Sequence, residues 1–223
     1  KGRLIIVDGV FSMEGDIAAL PAIVRLARAY GARIMLDDAH AIGVFGKGGR
    51  GTAEHFGLEN EVDLIMGTSS KSLAAIGGFV AGSSDVISWI KHLARSMIFS
   101  ASLPPALVAS VSTALDMIEE EPELRARLWR NTHKMLKGYK TIGYDTGTSE
   151  TPIIPVIIKD TMKTHEMCRL LFENGVFANS VISPGVPPGR ELLRTSYMAT
   201  HTEEQLDKVL AAFEKVGRQV GVI

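Results

Sequence analysis

Ile34-Met35-Leu36-Asp37-Asp38-Ala39-His40 is the stretch that decides the fold, because three apolar residues run directly into two acids and a histidine. A short, wholly apolar run is typical of a strand inside a parallel sheet. The predicted strands of the first hundred residues are 4–7, 34–36, 62–66 and 79–81. Between the first two, apolar residues from Leu20 to Ala27 recur at helical spacing, and Gly31 is the expected C-cap. This alternation predicts an α/β fold with a largely parallel sheet and helices on its faces.

The second half of the chain has a different order of elements. Its predicted elements are a helix opened by Pro104 and Pro105, a helix at 123–142, a strand at 153–158, a helix at 164–174, a strand around Val176, a strand at 191–197 and a helix at 202–216. This order predicts a small α+β domain. We therefore expect residues 1–103 to belong to a large sheet domain and residues 104–223 to form a small C-terminal domain.

The chain opens at Lys1 without a methionine and enters the apolar run 4–7 almost at once. A strand that is apolar along its whole length needs neighbours on both sides. We therefore expect an N-terminal part of the large domain to precede this sequence.

Composition limits the function classes. A net charge of −1 gives no broad basic field for nucleic acid or an anionic membrane. The hydrophobic stretches are short and interrupted, so no membrane span is expected. Cys168 is the single cysteine, which excludes an internal disulfide and favours the cytoplasm.

Polar residues follow three of the predicted strands, at 8–12, 37–40 and 68–71. Ligands bind at the carboxyl ends of the strands in a parallel α/β sheet, so these segments are expected to converge. Taken alone, Asp37 fits a structural acid as well as a functional one, and His40 is more typical of a loop histidine. The pair could also suggest a metal, but no third ligand stands at a recognisable spacing.

Lys71 lies in Gly67-Thr68-Ser69-Ser70-Lys71-Ser72, between hydroxyls and small residues. This setting favours the neutral amine that a Schiff base requires. Thr68 and Ser70 could present hydroxyls to a phosphate. The glycine-rich stretch 43–51 lacks the spacing of a P-loop or a dinucleotide fingerprint, so a turn-rich connection is predicted there.

Taken together, these motifs resemble the α-oxoamine synthase family. The matching stretches are Asp8-Gly-Val-Phe-Ser-Met-Glu-Gly-Asp16, Leu36-Asp-Asp-Ala-His-Ala-Ile-Gly43, Gly48-Gly-Arg-Gly51, Gly67-Thr-Ser-Ser-Lys71, Phe99-Ser-Ala-Ser-Leu-Pro104, Leu193-Arg-Thr-Ser196 and Ala199-Thr-His-Thr202. The residues around the lysine are most similar to the bacterial serine palmitoyltransferase type. 8-Amino-7-oxononanoate synthase and 2-amino-3-ketobutyrate CoA ligase belong to the same family.

The resemblance implies fold type I of the pyridoxal-phosphate enzymes and a homodimer with a shared active site. It implies a biosynthetic acyltransferase that condenses an amino acid with an acyl-CoA thioester and releases carbon dioxide. By the same resemblance, Lys71 holds the cofactor covalently, Asp37 pairs with its pyridine nitrogen, and His40 bonds its ring hydroxyl.

The remaining roles also rest on the resemblance. Ser12 would lie beside the cofactor and Thr68 would bind its phosphate. Ser100 and Ala101 would reach the phosphate in the partner subunit. Arg194 would bind the carboxylate of the amino acid, for which a planar bidentate donor is suited.

Two other interpretations of the function stay open. One is a different fold-type-I enzyme, such as an aminotransferase, and the other is a non-catalytic fragment. The family's N-terminal part supplies a ring that stacks on the cofactor and a loop for its phosphate. Neither is present in these 223 residues, so this segment alone is expected to be inactive.

Overall fold

The computed structural model describes residues 2–223, which form two compact units. The first unit contains the chain up to Phe11 and Ile17–Arg125, and the second contains Ser12–Asp16 and Ala126–Ile223. The helix that follows Leu103 therefore belongs to the first of the two compact units. The domain boundary near Leu103 stays a prediction.

The sheet of the first unit has the order β1-β2-β3-β4. Its strands are β1 (Leu4–Asp8), β2 (Arg33–Asp37), β3 (Leu64–Thr68) and β4 (Gly78–Gly82). The first three are parallel, and β4 is antiparallel to β3. The predicted α/β alternation is confirmed. The predicted third strand was placed two residues too early, since pairing with β4 extends β3 to Thr68.

The helices of the first unit are α1 (Leu20–Tyr30), α2 (Thr52–His55), α3 (Ser84–Leu93), α4 (Arg95–Ile98) and α5 (Pro105–Glu120), with a 3₁₀ turn at Glu59–Glu61. Helix α1 begins with Pro21 in its first turn and ends at Gly31, which adopts a left-handed conformation. Residues 43–51 form turns and bends, as predicted. Helices α2, α3 and α4 were not predicted from the sequence.

The core of the first unit lies between α1 and β2. Its buried members are Leu20, Val24, Ala27, Ile34, Leu36 and Ala53. In contrast, β4 is exposed along its length, and α3, α4 and α5 contain no buried residue. The expectation that β1 has neighbours on both sides is not met within residues 2–223, where β1 is an edge strand and Leu4 and Ile6 are 52% and 66% exposed.

The second unit contains an antiparallel sheet of order β5-β7-β6. Its elements are α6 (Pro122–Ile142), which begins in the first unit, then β5 (Ile153–Ile157), α7 (Thr161–Glu173), β6 (Asn179–Val181), β7 (Leu192–Ser196) and α8 (Glu203–Val220). The predicted α+β composition is confirmed. The strand expected around Val176 was misplaced, because β6 begins at Asn179.

Two helix starts follow from side-chain caps. The Asp160 carboxylate accepts a hydrogen bond from the backbone N–H of Lys163 at 2.8 Å, so α7 begins earlier than predicted. Thr202 and Gln205 form a capping box at the start of α8. Helix α8 is longer than predicted and ends at Gly221, which is left-handed.

The core of the second unit is a cluster of buried aromatic and aliphatic side chains from α6, β5, α7, β7 and α8. Tyr139, Tyr144 and Phe213 pack edge to face, and the hydroxyls of Tyr139 and Tyr197 lie 2.7 Å apart. All five residues of β5 are buried. None of the helices in residues 2–223 is long and apolar enough to cross a membrane.

Candidate active site

The carboxyl ends of β1, β2 and β3 lie side by side in the first unit. Asp8 is paired in register with Asp37, and Asp37 with Met66. The strand ends are tied by two backbone hydrogen bonds of 2.8 Å, from the N–H of Gly9 to the oxygen of Asp37 and from the N–H of Asp38 to the oxygen of Met66. The predicted convergence is therefore present for the ends of these three strands.

Asp37 lies at the last position of β2 and is half-buried. Its carboxylate accepts a hydrogen bond of 3.0 Å from the backbone N–H of Ala39, which turns the chain towards His40. His40 is also half-buried. Both residues stand on the short segment that immediately follows the strand.

Asp8 is sensitive to the charges around it. Burial raises the pKa of the Asp8 carboxyl, the negative charge of Asp37 raises it further, and the positive charge of Lys71 lowers it. Lys71 is thus near enough to act electrostatically on this strand end. Two carboxylates and one amine share this region of the first unit.

A hydroxyl-rich turn connects β3 to Lys71. The oxygens Thr68 Oγ1 and Ser70 Oγ lie 2.9 Å apart, and Thr68 donates to the backbone oxygen of Gly77 at 3.2 Å. Because Thr68 has one hydroxyl proton, Ser70 is then the donor to Thr68. The backbone N–H of Ser69 also bonds Gly77, at 2.9 Å. The turn presents Lys71 as an exposed residue next to fixed hydroxyls.

Asp38 is a buried acid that the sequence analysis did not single out. It is fully buried, and its Oδ2 accepts a hydrogen bond of 2.8 Å from the backbone N–H of Thr52, at the start of α2. Burial raises the pKa of Asp38, and the hydrogen bonds from Thr52 oppose that rise. A Cβ at Gly9 or Gly51 would collide with its carboxylate. Asp38 therefore fixes the connection after β2, and its signal in the sequence is the second acid of the Asp-Asp pair.

Arg194 and Ser12 belong to the second unit. Arg194 lies on the central strand β7, between Pro155 of β5 and Asn179 of β6. Its Nε donates a hydrogen bond of 2.7 Å to the backbone oxygen of Ser12. Burial lowers the pKa of the Arg194 guanidinium from its ordinary value.

Ser100 and Ala101 follow α4 in the first unit and are exposed. The Ser100 hydroxyl donates to the backbone oxygen of Ser96. The structure thus groups Asp37, His40, Thr68 and Lys71 around neighbouring strand ends of the first unit. No group of three histidine, cysteine or acidic side chains in residues 2–223 is placed to hold a metal ion.

Residues 1–213 match the aminotransferase class I and II family. The chain is 52% identical to serine palmitoyltransferase of Bacteroides ovatus over 221 residues, which are 99% of this chain and 56% of that protein. It is 48% identical to 8-amino-7-oxononanoate synthase of Thermoanaerobacter pseudethanolicus, with the same shares covered. The chain therefore spans about half the length of the curated relatives it matches.

A solved structure of serine palmitoyltransferase with pyridoxal phosphate superimposes on the whole chain with a TM-score of 0.96 and 38% identity, and the chain covers 56% of that protein. This likeness confirms fold type I of the pyridoxal-phosphate transferases. The resemblance to the α-oxoamine synthases is confirmed by these relatives. The chain therefore belongs to the aminotransferase class I and II family, and its relatives there are pyridoxal-phosphate-dependent α-oxoamine synthases.

Proposed function

We propose that the full-length protein is a pyridoxal-phosphate-dependent acyltransferase that condenses an amino acid with an acyl-CoA thioester and releases carbon dioxide. The observation that carries the proposal is that Asp37 and Thr68 end neighbouring parallel strands, with Lys71 in the turn that follows Thr68. The two kinds of relatives support a biosynthetic transferase of the serine palmitoyltransferase or 8-amino-7-oxononanoate synthase type.

The donor set of the first unit suits pyridoxal phosphate. A half-buried carboxylate, Asp37, matches a protonated ring nitrogen. The exposed amine of Lys71 suits condensation with the cofactor aldehyde. The hydroxyls of Thr68 and Ser70 suit hydrogen bonds to its phosphate. When bound, the cofactor accepts electrons from the α-carbon of the amino acid.

Three residues of the first unit would do the central work. Lys71 would hold the cofactor through its side-chain amine, and the same amine would take the proton from the α-carbon of the amino acid. Asp37 keeps a proton on the ring nitrogen by pairing with it, for which its half-buried position supplies a strong field. His40 orients the ring by bonding its hydroxyl group.

Arg194 would bind the carboxylate of the amino acid, and Ser12 would lie beside the cofactor. The guanidinium is half-buried on the central strand of the second unit, which limits its freedom. Such a donor binds a carboxylate in one plane with two hydrogen bonds.

The segment Ser100–Ala101 would reach the phosphate bound by a partner subunit in a homodimer. Exposed apolar side chains on both sides of it support this assignment, among them Trp89, Phe99 and Leu103. Exposed apolar side chains near helices that have no buried residue are typical of a protein interface. A cytoplasmic location stays a prediction, supported by the single free thiol of Cys168.

The test is turnover by the full-length protein loaded with pyridoxal phosphate. Coenzyme A release should depend on both an acyl-CoA and one of serine, alanine or glycine. Borohydride should fix a pyridoxyl group on Lys71, and Lys71→Ala should abolish turnover and the visible absorbance of the bound cofactor. Lys140→Ala is the matched control, since Lys140 is an exposed lysine at the end of α6.

Two outcomes would contradict the proposal. Labelling of another lysine would refute the assignment of Lys71. Amino-group transfer to an oxo acid without coenzyme A release would favour an aminotransferase, which the breadth of the matched family allows.

A further inference from the structure

We propose that the segment Ser12–Asp16 is a brace that orients the Arg194 guanidinium, and that Glu14 and Arg190 are positioning residues for the amino-acid substrate. The inference rests on the proposed function, because it assumes that Arg194 binds the substrate carboxylate. It assigns a role to Glu14 and Gly15, which are remote in sequence from Arg194, and to Arg190, which lies four residues before Arg194.

The brace is a loop closed at its base. Val10 and Ile17 form an antiparallel bridge, and the N–H of Ala18 bonds the backbone oxygen of Gly9 at 2.9 Å. These flanking residues belong to the first unit, whereas Ser12–Asp16 belongs to the second. The five residues of the brace are therefore held by contacts that they make in the second unit.

Glu14 and Asp16 attach the brace through their side chains. Arg190 Nη2 lies 2.6 Å from Glu14 Oε2, and both side chains are partly shielded from solvent. The Thr148 hydroxyl donates to the Asp16 carboxylate at 2.6 Å. A charge-assisted bond and a hydroxyl bond thus flank Gly15 on either side.

Gly15 brings the backbone of the brace against β5. Its φ is +71°, a left-handed conformation that favours glycine. A Cβ at this position would collide with the backbone oxygen of Ile153 and approach the hydroxyl oxygens of Ser149 and Thr151 at 2.6 and 2.9 Å. Since β5 pairs with β7, the brace is seated on the same sheet that carries Arg194.

The orienting contact is the bond of 2.7 Å from Arg194 Nε to the oxygen of Ser12. A guanidinium is planar, so one fixed Nε–H bond sets the direction of its two terminal nitrogens. With Nε committed, the substrate carboxylate would bind to those terminal nitrogens. A donor oriented in advance loses less rotamer freedom when the ligand arrives.

Loosening the brace should therefore weaken binding of the amino acid and leave binding of the acyl thioester unchanged. Arg190 has a second acid within electrostatic range, since its charge also lowers the pKa of Asp145. Arg190 can turn to Asp145 when Glu14 is neutral, so the pair is best tested from both sides. The variants are Glu14→Gln, Arg190→Met and the swapped pair Glu14→Arg with Arg190→Glu.

The experiment uses the full-length protein loaded with pyridoxal phosphate. Each single variant should raise the KM for the amino acid by roughly five- to twentyfold, a part of the loss that removing a charged hydrogen bond to the substrate itself would cause, with little change in the KM for acyl-CoA. The swapped pair should recover part of that loss. Glu214→Gln is the matched control, because Glu214 pairs with Arg218 at 2.8 Å on the exposed face of α8.

Calorimetric titration with the amino acid alone separates this inference from the proposed function. Weaker amino-acid binding in the brace variants supports the brace, even if coenzyme A release is absent and the acyltransferase proposal fails. Unchanged affinity, or an equal rise in both KM values, overturns the brace. Should Glu14→Gln fail to fold, Thr148→Val removes the hydroxyl that donates to Asp16, the other side-chain attachment of the brace, and should give the same selective loss.

Discussion

The two sheets of this protein are stabilised in different ways. In the second unit every residue of β5 is buried. The aromatic rings of this unit's core come from α6, from α8 and from the segment between α6 and β5. In the first unit β1 is a partly exposed edge, while β4 and α3–α5 have no buried residue. The proposed cofactor residues stand on the less covered unit. The difference indicates that the second unit is stabilised chiefly by its own core, and we expect the first unit to need further protein surface to work.

The largest effect is expected when residues 1–223 are expressed by themselves. Exposed apolar side chains and the unpaired edge of β1 should make this chain aggregate, and it should release no coenzyme A above background. The measurement is size-exclusion chromatography followed by the turnover assay. Robust turnover by a soluble monomer would show that the first unit needs no further surface.

The next effect concerns the chemistry placed on the first unit. Asp37→Asn in the full-length protein should lower turnover by roughly 150- to 5,000-fold, since breaking a buried ion pair costs about 3–5 kcal/mol. Exchange of the α-proton of the amino acid in heavy water, followed by NMR, should fall in parallel while some cofactor stays bound. Unchanged exchange, or activity abolished by a chelator, would contradict a role at the ring nitrogen.

A pair of aromatic truncations compares the two units directly. Phe213 is fully buried in the second unit, and Trp89 is 65% exposed on α3. Phe213→Ala should lower the free energy of unfolding by about 3–5 kcal/mol in urea denaturation, because it leaves a cavity. Trp89→Ala should leave the stability of the subunit nearly unchanged and shift sedimentation towards the monomer. Equal losses of stability would remove the contrast between the units.

The smallest effect is a pH dependence at Asp38. Its pKa in the folded chain is raised above the ordinary 3.8, so the folded state holds this proton more tightly than the unfolded state. The stabilisation from Asp38 is present below pH 3.8 and is lost as pH rises through the folded pKa. Asp38→Asn keeps an acceptor for the N–H of Thr52 and should flatten the stability profile above pH 3.8. The same slope in both proteins, measured by thermal unfolding across pH, would assign the effect to other groups.

Local patterns in the sequence were sufficient for the α/β alternation and the α+β second half, whereas the roles of Asp37, His40 and Lys71 rest on the resemblance and stay predictions. A strand or helix with a buried face leaves a periodic signal that a single chain carries. Helix α4 was missed because its four residues carry too little pattern, whereas α3 was missed although its apolar residues recur at helical spacing. The position of β6 was missed because its three residues carry too little pattern.

The sequence by itself indicated that Asp37 and Lys71 follow strands, and through the family resemblance it predicted which residues would hold pyridoxal phosphate. Tertiary structure decided that these strand ends are neighbours in register, that Asp38 is buried against Thr52, and that Ser12–Asp16 belongs with Arg194. The physical reason is the distance along the chain. Spacing within one strand or helix is fixed by backbone geometry, whereas contacts such as Glu14 with Arg190 depend on how separate elements pack.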